Sequence, residues 1–353
     1  MHRILLAFLF AWTGIATASA QDMPPASVAS VHDIAAVVVR GVQPGPGLWK
    51  VSKGDHVLWI LGTLSPLPKD ITWDSHRVEI LVASSQEVLV APSLQVRGNL
   101  GFFGTLALLP SLIGLRNNPD GAMLRDVVSP DLYARWSVLK EKYIGGGNKV
   151  EKWRPIFAAI DLYDAAIRKA GLTDKLLVQK TVAAAAKHAG VKVMPVIVTF
   201  VLDDPRSAVK EFKATALDDS DCFRKTLDRV DTDLAAMTAR ANAWSVGDLD
   251  ALRKLPYTSQ MAACHAALSE TQLARKRGIL DIDTRVRKAW LDAAMQALGA
   301  NQETFATLPI SNLLSADGYL SQLRAAGYSI EEPASKSPAT SAAIDVDAAT
   351  ARR

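Results

Sequence analysis

The sequence predicts an α/β protein: a mixed central β-sheet flanked by helices, with a largely helical section in the second half of the chain. Three observations carry that expectation. LWKVS (48–52) and HVLWILGT (56–63) are β-rich runs separated by the turn residues Lys53-Gly54-Asp55, the pattern of strand, tight turn, strand. An amphipathic segment and the short apolar run EVLVAP (87–92) follow within a few residues. That makes a βαβ-like unit, so part of the sheet should be parallel. From Asp219 to Leu298, apolar residues recur at spacings of three and four (Leu227, Val230, Leu234, Met237), which is helical spacing.

Taken in order, residues 1–20 (MHRILLAFLFAWTGIATASA) join a basic residue, an apolar stretch and a small-residue end, Ala18-Ser19-Ala20. This is the pattern of a secretory signal peptide, giving a mature start at Gln21. With about a dozen apolar residues, the stretch is too short for the membrane-anchor alternative, which needs roughly 20. Residues 21–46 form a lead segment with a short helix expected from Ile34 to Val39, between MPPAS and QPGPG. After the hairpin, a helix is expected from about Ser75 to Ser84, then a short buried strand in EVLVAP.

Residues 98–118 (GNLGFFGTLALLPSLIGLRNN) are an apolar patch interrupted by Gly101, Gly104, Pro110 and Gly114. It can be a lip touching a membrane or hydrophobic ligand, or a core helix pair broken at Pro110. The core reading is preferred, because apolar runs this short are more often buried than embedded in a bilayer. Further helices are expected at Pro130–Lys142, ended by Gly145-Gly146-Gly147, at Pro155–Lys169, with Gly171 as its stop, and at Asp174–His188. KVMPVIVTFV (192–201) reads as one strand. The helical section from about 204 to 298 is divided by Pro256 and Gly278, and ETFATLPI, a helix at Asp317–Ala326 and YSIEE close the fold as a second strand–helix–strand unit. Residues 333–353 turn to Pro, Ser, Ala and Thr, the composition of a disordered tail.

Composition limits function. At 353 residues and 49% hydrophobic side chains the chain can bury a large core. The net charge of +4 comes from scattered cations, with no run dense enough to track a phosphate backbone, so no nucleic-acid partner is expected. Two cysteines, Cys222 and Cys264, form an even pair behind a secretory leader. One disulfide is expected, since both lie on helices that should fold back on one another.

Four segments carry a resemblance. They are LWKVSKGDHVLWILGTLSPLP followed by Trp73, DCFRKTLDRVDTDL (221–234), AWSVGDLDALRKLPYTSQMAACHAAL (243–268) and DGYLSQLRAAGYSIEE (317–332). In this order the chain resembles the TraB/GumN family, a bacterial secreted branch related to the Tiki metalloproteases. More distant kin are erythromycin esterase and the ChaN haem-binding proteins. The domain it implies is 47–332. Family members that look catalytic carry G-T-x-H at the end of the second strand, a glutamate ending the next strand, and a histidine in a C-terminal V-G-x-x-H-L segment. Imidazoles and a carboxylate converging on one pocket can hold a divalent metal that acidifies a water.

Here the pattern departs. G-T-x-H reads Gly62-Thr63-Leu64-Ser65, the glutamate position falls on Ala91 or Pro92, and the C-terminal segment LPISNLL places Asn312 at the histidine. Gln179 stands where relatives tend to have an aspartate. The resemblance therefore implies a degenerate site, with Gly62, Thr63, Ser65, Ala91, Gln179 and Asn312 lining a neutral pocket, no metal and no cofactor. The implied protein is a secreted or periplasmic binding or scaffolding component that has lost metal-dependent hydrolysis. Its partner would be an unidentified small molecule or an envelope protein. Two alternatives stand beside it: a hydrolase with a rearranged site using His76 with Asp74 or Glu79, and a carrier of haem or a hydrophobic ligand on 98–118. Ser65 as a nucleophile lacks a base and a strained elbow in TLSPLP.

Overall fold

Strand β1 (Leu48–Lys53) and strand β2 (His56–Thr63) pair in antiparallel register from Leu48↔Leu61 to Lys53↔His56. Gly54 supplies the positive φ (+64°) that the tight turn between them needs. The computed structural model describes residues 42–255, 264, 267–268, 274–275 and 281–335. The expected leader, the helix at 34–39, the breaks at Pro256 and Gly278 and residues 336–353 lie outside them. Of the tail, Pro333 sits against Gly47 and Asp250 N–H donates to the Ser335 hydroxyl at 3.2 Å.

The first half continues through β3 (Leu67–Pro68), α1 (His76–Ser84), β4 (Glu87–Leu89), β5 (Ser93–Gly98) and α2 (Phe102–Leu112). Helices α3 (Leu124–Val127), α4 (Pro130–Tyr143) and α5 (Pro155–Lys169) come next, then β6 (Leu172–Thr173), α6 (Leu177–Ala189), β7 (Lys192–Met194) and β8 (Ile197–Leu202). The helical section holds α7 (Pro205–Ala214), α8 (Ser220–Thr232), α9 (Leu234–Val246), α10 (Leu249–Lys254) and α11 (Ile282–Ala300). Strand β9 (Glu303–Pro309), α12 (Ile310–Leu314), α13 (Tyr319–Ala325) and β10 (Ser329–Glu331) complete the order.

The central sheet has the order β10-β1-β2-β9-β4-β7. Strand β1 is antiparallel to both neighbours, whereas β2, β9, β4 and β7 run parallel, so the sheet is mixed as expected. Leu58, Ile60 and Leu61 are each fully buried although adjacent residues point to opposite faces. Both faces are therefore covered, as parallel strands require. Val78 and Val82 of α1, Val178 and Val182 of α6, and Trp290, Leu291 and Ala294 of α11 belong to that core.

Four local expectations are corrected. KVMPVIVTFV is two strands, not one: β7 pairs with β4 in the central sheet, while β8 leaves it to form a separate parallel pair with β5. Pro195 lies at the division, and a residue without an N–H cannot continue a ladder. Strand β5 itself was not expected, because SLQVRG has exposed positions on both faces. Helix α6 begins at Leu177 rather than Asp174, because Leu172 and Thr173 are drawn into a bridge with β3. The 98–118 segment is not a buried pair: it holds a single helix, α2, with Pro110 in its last turn and Phe103, Leu106, Leu109 and Ile113 exposed.

Helices α3, α4, α5 and α8 enclose a second core in which Trp136 packs on Phe223, ring centroids 5.5 Å apart. The buried Glu151 carboxylate accepts from Trp136 Nε1 (3.2 Å) and pairs with Lys140 Nζ (3.0 Å). Beside this core Cys222 and Cys264 form the expected disulfide, with Cα atoms 4.6 Å apart. Asp219, 3% exposed, accepts the Ile156 N–H at 2.8 Å and so serves the first turn of α5. Burial pushes its carboxyl from 3.8 up to about 6, opposed by backbone hydrogen bonds and by Arg154.

Two outcomes follow from this second core. The disulfide spans a sequence separation of 42, so loop-closure entropy assigns it about 4 kcal/mol; the Cys222→Ala/Cys264→Ala variant should lose stability on that order in urea denaturation. For Asp219 the folded-state value is raised, so its contribution is fully present below 3.8 and is lost as pH rises through about 6. The change is on the order of 3 kcal/mol. Asp219→Asn should remove that slope, measured as the difference in urea midpoint between variant and parent across the same window.

Candidate functional site

Parallel strands place their carboxyl ends at one edge of a sheet, and ligands of open α/β sheets bind outside that edge, where neighbouring connections diverge. In this sheet the divergence lies around β9, which sits between β2 and β4 although it comes last of the three in sequence. The register Val57↔Glu303 through Thr63↔Pro309 brings the ends of β2 and β9 level, while β4 ends at Leu89 opposite Ala306, three residues short of the end of β9.

The six candidate residues distribute along this edge. Gly62 and Thr63 end β2, and Ser65 lies two residues beyond. Ala91 lies two residues past β4, and Asn312 is on α12, which directly follows β9. Helix α6 leads back into β7, so its first turn, carrying Gln179, lies toward the carboxyl end of that strand. Two hydrogen bonds tie the three strand ends together. The Thr63 hydroxyl donates to the Leu308 carbonyl at 3.3 Å, and Ala91 N–H donates to the Thr307 hydroxyl oxygen at 3.2 Å.

These contacts divide the site into two kinds of residue. Gly62, Thr63 and Thr307 are buried and committed to the scaffold. The Gly62 carbonyl accepts from Trp244 Nε1 at 2.8 Å, and a Cβ on Gly62 would stand 3.0 Å from Trp49 Cζ3 and 3.1 Å from Ile310 Cγ1. Ser65 is exposed, and Gln179 and Asn312 are half-buried. None of these three side chains makes a hydrogen bond to another of the described residues, which leaves hydroxyl and amide groups for a ligand.

The donor chemistry at this edge does not fit a divalent metal, since a hydroxyl, two amides and a methyl offer neither imidazole nor carboxylate. Among the described residues no group of three or more His, Cys, Asp or Glu side chains is placed to hold one. The residues of the rearranged alternative lie at the start of α1. Asp74 accepts from the His76 backbone N–H at 3.0 Å and Glu79 accepts from the Ser75 hydroxyl, so both carboxylates serve the start of α1. His56 is at the far end of β2, where its Nδ1–H donates to the Asn301 carbonyl at 2.6 Å.

Two surface cavities lie elsewhere and contain none of the six residues. One, of about 330 Å³, is bounded by Trp59, Trp73, Arg77 and Glu331; the other, of about 950 Å³, adjoins the end of α2. Sequence reading missed Thr307, Trp244 and Ile310, which shape the edge. Their partners lie across strands or in a different element, and spacing along the chain carries no signal for such contacts.

Compared with known proteins, residues 47–332 match the sequence description of the TraB/PrgY/gumN family. No curated protein and no solved structure matches the chain.

The packing around Gly62 makes two substitutions informative. Gly62→Ala should destabilise by about 1–3 kcal/mol through overpacking against Trp49 and Ile310. Trp244→Phe should cost about 1–3 kcal/mol by leaving the buried Gly62 carbonyl unpaired. Ser65→Ala, at an exposed position, should change stability by less than about 0.5 kcal/mol. Thermal and urea denaturation of the three variants checks the ranking.

Proposed function

Because the chain belongs to the TraB/PrgY/gumN family, we propose that it is a secreted or periplasmic member that has lost metal-dependent hydrolysis. In place of hydrolysis it binds a neutral small molecule or an envelope protein at the carboxyl edge of its sheet. The observation that carries this reading is the chemistry of that edge. Every position at which the resemblance expects an imidazole or an acid holds a neutral side chain: Ser65, Ala91 or Pro92, Gln179 and Asn312.

A hydroxyl and two carboxamides hold a divalent cation weakly, because they neither carry charge nor donate as imidazole does. They do offer paired donors and acceptors suited to an uncharged polar ligand. Ser65 gains no nucleophilic power from its surroundings, since no base is placed beside it among the described residues. The leader at 1–20 and the disulfide support an oxidising destination.

The test is elemental analysis of the mature protein purified from the envelope fraction without chelators. The expected result is less than one equivalent of zinc, manganese or cobalt, and no peptidase activity that chelation removes. A full equivalent of metal together with chelator-sensitive hydrolysis overturns the reading. Restoring the site as Ser65→His/Ala91→Glu/Asn312→His, and in a second version with Pro92→Glu, should create zinc binding measurable by calorimetry.

A further inference from the structure

Helix α2 violates the rule by which the rest of the fold is built. Its sequence, FFGTLALLPSL, is apolar on every side, and such a helix belongs in a core or in lipid. Yet Phe103 is 82% exposed, Leu106 54%, Leu109 52% and Ile113, just past its end, 77%. At 100° per residue these four fall within one arc of about 120°. The face opposite packs toward α7. The chain is anchored on both sides of the helix: Asn99 N–H donates to the Leu202 carbonyl at 3.0 Å before it, and after it Lys213 Nζ donates to the Ile113 carbonyl at 2.6 Å and Arg154 N–H to the Arg116 carbonyl at 2.8 Å.

The charged groups of the cavity at the C-terminal end of α2 have one sign. The cavity of about 950 Å³ at the end of α2 is lined by Leu112, Ile113, Trp153 and Phe157 together with Arg116, Lys149 and Lys152, and by no carboxylate. Arg116 stacks over the Trp153 ring at 5.2 Å, and none of the three cations is in an ion pair among the described residues. Cations beside an exposed apolar helix complement a surface that is apolar inside and negative at its rim. A second copy of this chain would oppose cation with cation. Eleven residues span about 16 Å, half of what a bilayer core requires, so the helix can lie in an interface but not cross it.

We propose that α2 and the adjoining cationic groove dock this protein on the surface of an anionic phospholipid bilayer, with Phe103, Leu106, Leu109 and Ile113 in the acyl boundary and Arg116, Lys149 and Lys152 at the headgroup phosphates. Apolar burial and electrostatic attraction act together in such docking. The site is separate from the sheet edge, so the inference stands whether or not that edge binds a neutral ligand.

The experiment is co-sedimentation of the mature protein, freed of its apolar leader, with phosphatidylcholine vesicles and with vesicles containing about one-third phosphatidylglycerol. Partitioning onto the anionic vesicles, weakened by added salt, is the expected result. Lys149→Gln/Lys152→Gln should lower it roughly 20- to 30-fold, at about fivefold per cation. Leu106→Ser/Ile113→Ser should lower it at least about tenfold with an unchanged thermal midpoint, since both side chains already face solvent. No partitioning, equal partitioning onto both vesicle types, or undiminished binding of the Leu106→Ser/Ile113→Ser variant overturns the proposal.

Discussion

The pairing of β2 with β9 is the contact on which the other arrangements depend. Seven residues from Val57↔Glu303 to Thr63↔Pro309 are matched in parallel register across most of the chain's length. Closing so long a loop costs little more than closing a shorter one, because the entropic term grows only logarithmically. Specific contacts at the start of the pairing set the register. Val57 N–H donates to the Gln302 carbonyl at 2.8 Å, Trp59 Nε1 to Glu303 Oε1 at 2.8 Å, and the His56 ring to the Asn301 carbonyl. A one-residue slip would break all three and move Phe305 to the opposite covered face, mismatching the packing on both sides. With the register fixed, the ends of β2 and β9 arrive together, and the chain leaving β4 reaches them through the Ala91 N–H bond to Thr307.

The helical second half is fastened to the same edge. Trp244 of α9 reaches the Gly62 carbonyl and meets Trp73 edge-on at 5.9 Å, while Gly45 N–H donates to the Ser245 carbonyl at 2.8 Å. Helix α8 then packs into the second core with α5. Its covalent tie from Cys222 to Cys264 holds the following stretch to it. The helices are therefore part of the framework that shapes the sheet edge, and displacement of α9 would unpair a buried carbonyl at the end of β2.

What the chain discloses before folding is what neighbouring residues decide. The hairpin at 48–63, helix α1, helix α5 and the paired cysteines were legible because turn residues, 3.6-residue periodicity and an even cysteine count act locally. The insertion of β9 between β2 and β4 was not, since a parallel partner is chosen by tertiary packing rather than by either strand's sequence. The departure of β8 from the central sheet was half-visible, as Pro195 marks the division but not the partner, β5. For α2 the apolar run was plain and its exposure was not. Burial is a property of what the rest of the molecule brings alongside, and here it brings α7 to one side only. At the candidate site the residue types were readable from position in the family pattern, while Thr307 and Trp244 entered only through contacts across strands.

The sheet edge separates groups that the fold commits from groups that it leaves free. A side chain at Gly62 would press on Trp49 and Ile310, and Thr63 and Thr307 carry hydroxyls that each close a hydrogen bond at a strand end. Replacing any of them strains or unpairs the core. Ser65 and Asn312 make no such contribution, being exposed or half-buried. A ligand-bearing acid or imidazole at those places is held by function alone, since clustered charges near a sheet end repel and lose solvation without an ion between them. Neutral side chains there carry no such repulsion. Folding therefore leaves the side chains of Ser65, Ala91, Gln179 and Asn312 less constrained than those of Gly62, Thr63 and Thr307.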